Sequence, residues 1–324
     1  MESRRCVLVL GSGPAGLSAA LWLKNLGLEP LVAEASDRPG GLQNLNFLPN
    51  DWVLGQPDQT GPELAGRFVA HATEAGVRLL TNCTVRRIDG RLGAFRADLL
   101  EAGSRATAFD CAAVLLATGT RYRATEVLEQ VRGLEGVSPA RVLYGPWAFA
   151  HQEREAGARV LIVGGGDNAF ENARLLLRRN AQVTMALRST PRAQQALLDA
   201  VLGHPNCSLL QPAVLKTLNE DLVGLTAVLD TPAGARSLAV DRVHVLAGYE
   251  ANSRVVAEAL APELAAAIQL DDAGYLAVDA CGRTGAPGIY AAGDLCNPRF
   301  PSVVSAIAQG ALAAKTIEMD LRQL

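Results

Sequence analysis

The sequence has little that would support thiol or metal chemistry. Its six cysteines form neither a CxxC nor a CxxxxC pair, which argues against a zinc ribbon and against a local redox dithiol. The cysteines are Cys6, Cys83, Cys111, Cys207, Cys281 and Cys296. The four histidines show neither metal-ligand spacing nor the context of a catalytic triad; they are His71, His151, His204 and His244. We therefore expect no metal site.

Charge and hydropathy exclude two further classes of protein. With 30 basic and 33 acidic residues the net charge is −3, so no general attraction to nucleic acid or to an anionic membrane is expected. No uninterrupted apolar stretch is long enough to span a bilayer. Residues 1–5 run straight into an apolar segment and leave no room for a signal peptide. The expectation is a cytoplasmic protein with no nucleic-acid or membrane partner.

Two glycine-rich loops are the most informative features that are present. Gly11-Ser12-Gly13-Pro14-Ala15-Gly16 follows the apolar run 6–10, and Gly164-Gly165-Gly166-Asp167-Asn168-Ala169 follows the apolar run 160–163. A helical pattern comes next in both places. A strand, a sharp turn and a helix with free N-terminal amides form a site for pyrophosphate. Glycine is needed there because a side chain would block the approach. Together the loops predict two bound dinucleotides.

The residues that end the following strand differ between the two halves. Glu34 ends the strand 29–34 where a carboxylate commonly accepts a hydrogen bond from a ribose 2′-hydroxyl, although an exposed strand-end carboxylate would give the same pattern. The strand 182–187 ends instead in Arg188 and Arg192, which suit a 2′-phosphate, with two solvated arginines as the alternative. The first site is therefore expected to take FAD or NAD, and the second NADP.

The order of segments predicts an α/β fold of two Rossmann-like, three-layer ββα dinucleotide-binding domains, with the second inserted into the first. The discontinuous FAD-binding domain is expected to cover residues 1–120 and 246–324, and the NAD(P)-binding domain residues 121–245. In the first domain the buried strand 114–120 ends in small residues, which let a backbone approach a ligand. A helix that begins near Ser302 is expected to end the fold.

These residues resemble the two-dinucleotide-binding-domain flavoproteins, in particular the compact thioredoxin reductases and the ferredoxin–NADP reductases built on the same scaffold. The resemblance covers nearly the whole chain. It rests on four signatures in order, which are Gly11–Gly16, Ala117–Gly119, Gly164–Glu171 and Ala291–Asp294. It implies that the first loop and Glu34 hold the ADP half of FAD and that Asp294 contacts the ribityl or pyrophosphate region. It also implies that the helix beginning near Ser302 points its amides at the flavin N1/O2 edge.

The loops and the resemblance together define a set of candidate cofactor-binding residues. The set comprises Gly11, Gly13, Pro14, Ala15, Gly16, Glu34, Gly41, Leu42, Gln43, Val85, Ala117, Thr118, Gly119, Gly164, Gly166, Asp167, Asn168, Ala169, Arg188, Arg192, Gly293, Asp294, Ser302 and Val303. No catalytic side chain is predicted, because the cofactors carry the bond chemistry.

Two departures from the resemblance bear on function. Thioredoxin reductases of this branch carry a CxxC before the second loop, whereas residues 136–149 contain no cysteine, so dithiol exchange is unavailable there. In this respect the segment resembles the ferredoxin–NADP reductases. The family's His-Arg-Arg run and further Arg appear here as Ala186-Leu187-Arg188 and Arg192. Trp147 is either an aromatic lid on the flavin or a packing residue, and Cys296 is either a redox partner or structural.

The sequence thus predicts an FAD-dependent NAD(P)H oxidoreductase that resembles thioredoxin reductase without its dithiol. Electrons would pass from NADPH through FAD to a protein or small-molecule acceptor, with a ferredoxin- or flavodoxin-like protein favoured. The resemblance also implies a homodimer. Two alternatives stay open. One is a flavoprotein with a degenerate NADPH site that takes electrons from another donor, and the other is a non-catalytic flavin-binding sensor.

Overall fold

The computed structural model describes residues 5–50, 52–103, 106–123, 125–150 and 155–324. The chain divides into two compact units. The first consists of Met1–Arg121 and Glu250–Leu324, and the second of Tyr122–Tyr249. The second unit is therefore an insertion in the chain of the first.

The second unit ends later in the chain than the sequence analysis expects. The expected return to the first domain is at residue 246, but the unit continues to Tyr249. Contacts within the unit explain the difference. The Leu246 carbonyl lies against the turn at Gly164, and the Gly248 carbonyl accepts a hydrogen bond from the Arg123 amide at 2.9 Å.

The bounds of the elements are as follows. The helices are α1 (Pro14–Asn25), α2 (Gly61–Glu74), α3 (Thr125–Leu128), α4 (Trp147–Ala150), α5 (Asp167–Leu177), α6 (Gln195–Leu202), α7 (Ser253–Ala259), α8 (Pro262–Ala267) and α9 (Val303–Leu321). The strands are β1 (Cys6–Leu10), β2 (Glu29–Ala33), β3 (Arg78–Leu80), β4 (Cys83–Arg91), β5 (Ala94–Glu101), β6 (Thr107–Cys111), β7 (Ala113–Leu116), β8 (Thr120–Tyr122), β9 (Val142–Tyr144), β10 (Arg159–Val163), β11 (Gln182–Ala186), β12 (Cys207–Leu210), β13 (Val214–Glu220), β14 (Leu225–Thr231), β15 (Gly234–Val240), β16 (Arg242–Val245), β17 (Tyr249–Ala251) and β18 (Ile289–Ala291).

A parallel sheet of strand order β18-β7-β1-β2-β3 forms the middle layer of the first unit. Strand β1 is apolar throughout because both of its faces are buried. Val7 and Val9 belong to the core shared with α1 and α9, whereas Leu8 and Leu10 belong to the core shared with the antiparallel sheet β4-β5-β6. Successive side chains of a strand point to opposite faces, so one short run anchors all three layers.

The second unit repeats this architecture. Its parallel sheet has the order β12-β11-β10-β16-β9, and a separate antiparallel sheet is formed by β13, β14 and β15. Val160 and Ile162 pack with α5, and Leu161 packs with β13–β15. The three-layer ββα fold expected from the sequence is therefore confirmed for both units.

A buried polar network holds α5 against its neighbours in the second unit. Asn172 of α5 donates its Nδ2 to the Ala148 carbonyl at 2.9 Å, and its Oδ1 lies 2.8 Å from His244 Nδ1. His244 Nε2 in turn lies 3.0 Å from Glu155 Oε1. Because Asn172 Oδ1 only accepts, His244 Nδ1 donates the hydrogen bond between these two residues. The network joins α4, α5 and β16.

Parallel strands bring their carboxyl ends to one edge of a sheet, which is where such sheets bind ligands. In the first unit the segments that follow β1, β2, β7 and β18 leave from this edge. In the second unit the same holds for the segments after β10, β11 and β16. Each glycine-rich loop therefore lies at the ligand edge of its own sheet.

Candidate functional site

The three glycines of the first loop have different structural roles. Gly11 has a φ of 99°, and a Cβ there would lie 2.4 Å from the Ala117 carbonyl oxygen. A Cβ on Gly16 would lie 2.0 Å from the Gly11 carbonyl oxygen. At Gly13 the nearest atom to an added Cβ is Gly41 Cα at 3.9 Å. Gly11 and Gly16 thus allow close packing of strand and helix, and Gly13 keeps the approach to the helix start open.

A cavity of about 620 Å³ opens at this loop, a volume typical of cofactor sites. Its walls include nearly all the candidate residues of the first unit, which are Gly11, Gly13, Pro14, Ala15, Glu34, Gly41, Leu42, Gln43, Val85, Ala117, Thr118, Gly119, Gly293, Asp294, Ser302 and Val303. Gly16, in the first turn of α1, does not border the cavity, since it is buried against Gly11. It contributes packing rather than a ligand contact.

Glu34 is an ordered carboxylate at the cavity wall rather than a solvated strand end. Its Oε2 accepts hydrogen bonds from Ser12 N at 2.9 Å and Ser12 Oγ at 2.5 Å, and its Oε1 accepts from Ser36 N and Oγ, both at 2.9 Å. Burial alone would raise the pKa of Glu34, but these hydrogen bonds outweigh burial and hold the pKa below its ordinary value. The group is therefore an anion at neutral pH.

Three residues of the cavity wall each carry a buried polar atom that has no hydrogen-bond partner among the residues described. These atoms are Gln43 Oε1, Thr118 Oγ1 and Asp294 Oδ1. Buried polar atoms are normally paired, so atoms of this kind indicate a ligand that supplies the missing hydrogen bonds. Burial raises the pKa of Asp294 to about 6, because removal from water disfavours the charged carboxylate. The cavity wall therefore fits a polar cofactor such as FAD.

The start of α9 is also at the cavity. Ser302 is the N-cap of this helix, and its side chain accepts a hydrogen bond from Ser305 N at 3.1 Å. Ser302, Val303 and Ala306 line the cavity wall. The helix thus presents the positive end of its dipole to the cavity, which favours negative charge on a bound group.

Three residues that support the site were not predicted. Ser12 is fully buried and holds Glu34, Asn252 donates its Nδ2 to the Thr118 carbonyl at 2.7 Å, and Gln309 Oε1 accepts from Gly293 N at 2.9 Å. Ser12 had a local signal, because it lies inside the glycine loop. Asn252 and Gln309 act over long chain separations, and the sequence carries no local sign of such contacts.

The second loop has a similar geometry. A Cβ on Gly164 would lie 2.1 Å from the Leu246 carbonyl oxygen, whereas an added Cβ on Gly166 meets no atom of the described residues within 4 Å. Asp167 Oδ1 accepts from Gln194 N at 2.7 Å, and Arg192 N donates to the Gly165 carbonyl at 2.8 Å. The helix start is thus accessible.

The remaining second-loop candidates divide into one buried and three exposed residues. Ala169 is buried at the first turn of α5. The side chains of Asn168, Arg188 and Arg192 are exposed. These positions fit an anionic nucleotide that lies across the start of α5 and reaches the segment after β11.

Cys296 lies beside Asp294, but its thiol is not activated. Burial, together with the nearby Asp294, raises the pKa of Cys296 to about 12, and Sγ donates to the Gly293 carbonyl at 3.4 Å. A protonated thiol is a poor nucleophile, so the structural interpretation of Cys296 is favoured. Trp147 begins α4 and is 40% exposed.

The residues that the structure describes include neither a candidate metal cluster nor a candidate membrane-spanning helix. Within that part of the chain no group of three or more His, Cys, Asp or Glu residues is placed to hold a metal ion; His151 lies outside the described residues. No helix among the described residues has the length and apolarity needed to cross a membrane.

Comparison with known proteins identifies the class. Residues 5–310 match the family described as pyridine nucleotide-disulphide oxidoreductase, so the chain belongs to this family. It is 30% identical to the thioredoxin reductase of Streptomyces clavuligerus over 336 residues, covering 100% of this chain and 96% of that protein. It is also 30% identical to the thioredoxin reductase of Treponema pallidum over 318 residues, covering 97% and 96%. The chain is a flavoprotein of the thioredoxin reductase type, a group of FAD-dependent pyridine-nucleotide oxidoreductases that use FAD and NADPH.

Solved structures agree with the fold. Thioredoxin reductase from Lactococcus lactis superimposes with a TM-score of 0.81 at 24% identity, covering 99% of this chain and 100% of that chain. The enzyme from T. acidophilum gives a TM-score of 0.80 at 23% identity, covering 98% and 99%. The two-domain dinucleotide-binding fold expected from the sequence is thereby confirmed.

Replacing Asp294 by Asn tests the cavity electrostatics. Burial raises the pKa of Asp294 from 3.8 to about 6, so between these values the folded apoprotein holds a proton that the unfolded chain releases. Wild-type stability should therefore fall as pH rises through this range. Asp294→Asn should stabilise the apoprotein at pH 7.5 by about 1 to 3 kcal/mol and leave it unchanged at pH 3.5. Urea unfolding at both pH values measures the effect; equal stability of both proteins at pH 7.5 would contradict it.

Proposed function

We propose that the protein is an NADPH-dependent flavin oxidoreductase that passes electrons to an acceptor other than a disulfide. The observation that carries the proposal is that three residues of the cavity wall in the first unit, Gln43, Thr118 and Asp294, each hold a buried polar atom with no partner among the described residues. Such a wall suits a polar ligand, and the family uses FAD. FAD, when bound, supplies hydride acceptance and one-electron transfer.

The side chains and backbone of the first unit then have distinct tasks. Gly13 leaves the α1 amides open to a pyrophosphate, and the Glu34 carboxylate is held in place by Ser12 and Ser36 to accept from ribose hydroxyls. Asp294 accepts a hydrogen bond from the ligand, which satisfies its buried oxygen. The start of α9 stabilises negative charge. Binding and electrostatics are thus the work of the protein.

The cysteines support an acceptor other than a disulfide. Residues 136–149, where thioredoxin reductases carry their dithiol, contain no cysteine. Burial raises the pKa of Cys111 to about 12 and that of Cys207 to about 11, so neither thiol ionises readily. Because the cysteine-free segment 136–149 resembles that of the ferredoxin–NADP reductases, a ferredoxin- or flavodoxin-like protein, which accepts single electrons, is the favoured acceptor.

One observation favours the second candidate, a flavoprotein with a degenerate NADPH site. Ala186 and Leu187 occupy positions where the family has cations, and both are 1% exposed, so neither position presents charge to a nucleotide. Only Arg188 and Arg192 remain on this segment as exposed cations. The two candidates differ in whether NADPH reduces the flavin.

Anaerobic stopped-flow mixing separates the candidates. NADPH should bleach the visible flavin band rapidly and NADH slowly, because Arg188 and Arg192 meet the 2′-phosphate that only NADPH carries. Arg188→Ala and Arg192→Ala should each weaken the binding of NADPH by about 10-fold and leave the reaction with NADH unchanged. The exposed Arg91→Ala, at the end of β4 in the first unit and away from the cavity wall, serves as a charge-matched control. Failure of NADPH to bleach the flavin would reject the first candidate.

The acceptor is tested with the same reduced protein. Ferredoxin, flavodoxin and a one-electron dye should reoxidise it, and oxidised thioredoxin should not. Turnover of a thioredoxin disulfide at a comparable rate would overturn the choice of acceptor, and no turnover with any acceptor would favour a flavin-binding sensor.

We also propose a homodimer. On α9 the apolar residues Val304, Leu312 and Met319 are 46%, 45% and 50% exposed, and their spacing puts them on one side of the helix. An apolar stripe of this kind suits a second copy of the chain. Sedimentation velocity should show a dimer, and Leu312→Glu should shift it to monomer. The fully exposed Leu222→Glu, on the turn between β13 and β14, should not; a monomeric wild type would contradict the proposal.

A further inference from the structure

The order of strands in the second unit determines which half of a nucleotide lies on which side of the glycine loop. Strand β10 leads into this loop and lies between β11 and β16. Contacts fix the two flanks of the loop. A Cβ on Gly165 would lie 3.1 Å from the Leu187 side chain, whereas a Cβ on Gly164 would lie 2.1 Å from the Leu246 carbonyl oxygen. The segment after β11 thus borders one flank and the segment after β16 borders the other.

A dinucleotide whose pyrophosphate lies at the start of α5 must extend to both flanks. Arg188 and Arg192 follow β11 and are exposed, so the 2′-phosphate and the adenosine half lie on the β11 flank. The nicotinamide half must then extend to the β16 flank.

Tyr249 is the aromatic residue on that flank. It follows β16 by way of Leu246 and Gly248, and it is half-buried. Its hydroxyl lies 3.3 Å from Asn168 Nδ2, and Asn168 is the second residue of α5. The phenol is therefore placed beside the accessible helix start at Gly166, on the side away from the arginines.

We propose that Tyr249 binds the nicotinamide half of the pyridine nucleotide, with its hydroxyl, oriented by Asn168, hydrogen-bonded to the ribose or phosphate of that half. The inference rests on the proposed function, because it needs a nucleotide at the second loop. It assigns one residue to the half that NADPH and NADH share, whereas Arg188 and Arg192 belong to the half in which they differ.

Calorimetric titration of the FAD-containing protein tests this assignment without turnover. The two ligands are NADP⁺ and adenosine 2′,5′-bisphosphate, which carries the adenosine half alone. Tyr249→Phe should weaken the binding of NADP⁺ by about 3- to 10-fold, as expected for one lost hydrogen bond, and leave the binding of the bisphosphate unchanged. Arg192→Ala should weaken the binding of both ligands. Tyr275→Phe, in the first unit, is the matched control and should change neither.

Three results would overturn the proposal. If Tyr249→Phe binds NADP⁺ as tightly as the wild type, the hydroxyl makes no contact with the nucleotide. If the variant loses as much affinity for the bisphosphate as for NADP⁺, Tyr249 supports the conformation of the loop and does not contact the nicotinamide half. If the wild type binds neither ligand, the proposed function itself fails, and this outcome is recognised because no variant is needed to see it.

Discussion

The close approach of backbone to backbone at two glycine turns is the constraint on which both sites depend. At Gly11 an added Cβ would meet the Ala117 carbonyl oxygen at 2.4 Å, and at Gly164 it would meet the Leu246 carbonyl oxygen at 2.1 Å. Each contact brings the end of a central strand against the neighbouring segment. Only then does the following helix begin at the ligand edge of the sheet with its amides open. Cavity, carboxylates and arginines are all placed relative to these turns.

The first unit combines a satisfied anion with unsatisfied polar atoms. Glu34 is held by Ser12 and Ser36, so its geometry is set before any ligand arrives. Asp294 is instead buried with an unpartnered oxygen, and this arrangement costs stability in the absence of a ligand. Under the proposed function, Glu34 is held in place before it meets a ribose, and Asp294 gains its missing hydrogen bond only when the cofactor binds.

Local signals in the sequence were enough to predict the fold and the cofactors, but not the supporting contacts. The glycine loops follow apolar strands directly, and the ββα fold, the family and its use of FAD and NADPH are confirmed. The ββα fold implies a second sheet in this unit, but its strands β13, β14 and β15 were not located in the sequence, partly because a bulge between Leu215 and Thr217 interrupts the two-residue alternation. The network of Asn172, His244 and Glu155 joins residues far apart in the chain, and no local sequence pattern predicts it. The roles of individual cofactor residues stay predictions.

The most direct test of the central claim is the FAD content of the purified protein and two glycine variants. Wild-type protein should hold about one FAD per chain, as expected for one built site. Gly13→Leu should fold, since the nearest atom to its Cβ is 3.9 Å away, but should lose FAD because its side chain fills the approach to α1. Gly166→Leu, at the equivalent place in the second unit, should keep FAD. Colourless wild-type protein that refuses added FAD, or a Gly13→Leu variant that binds it normally, would contradict the account.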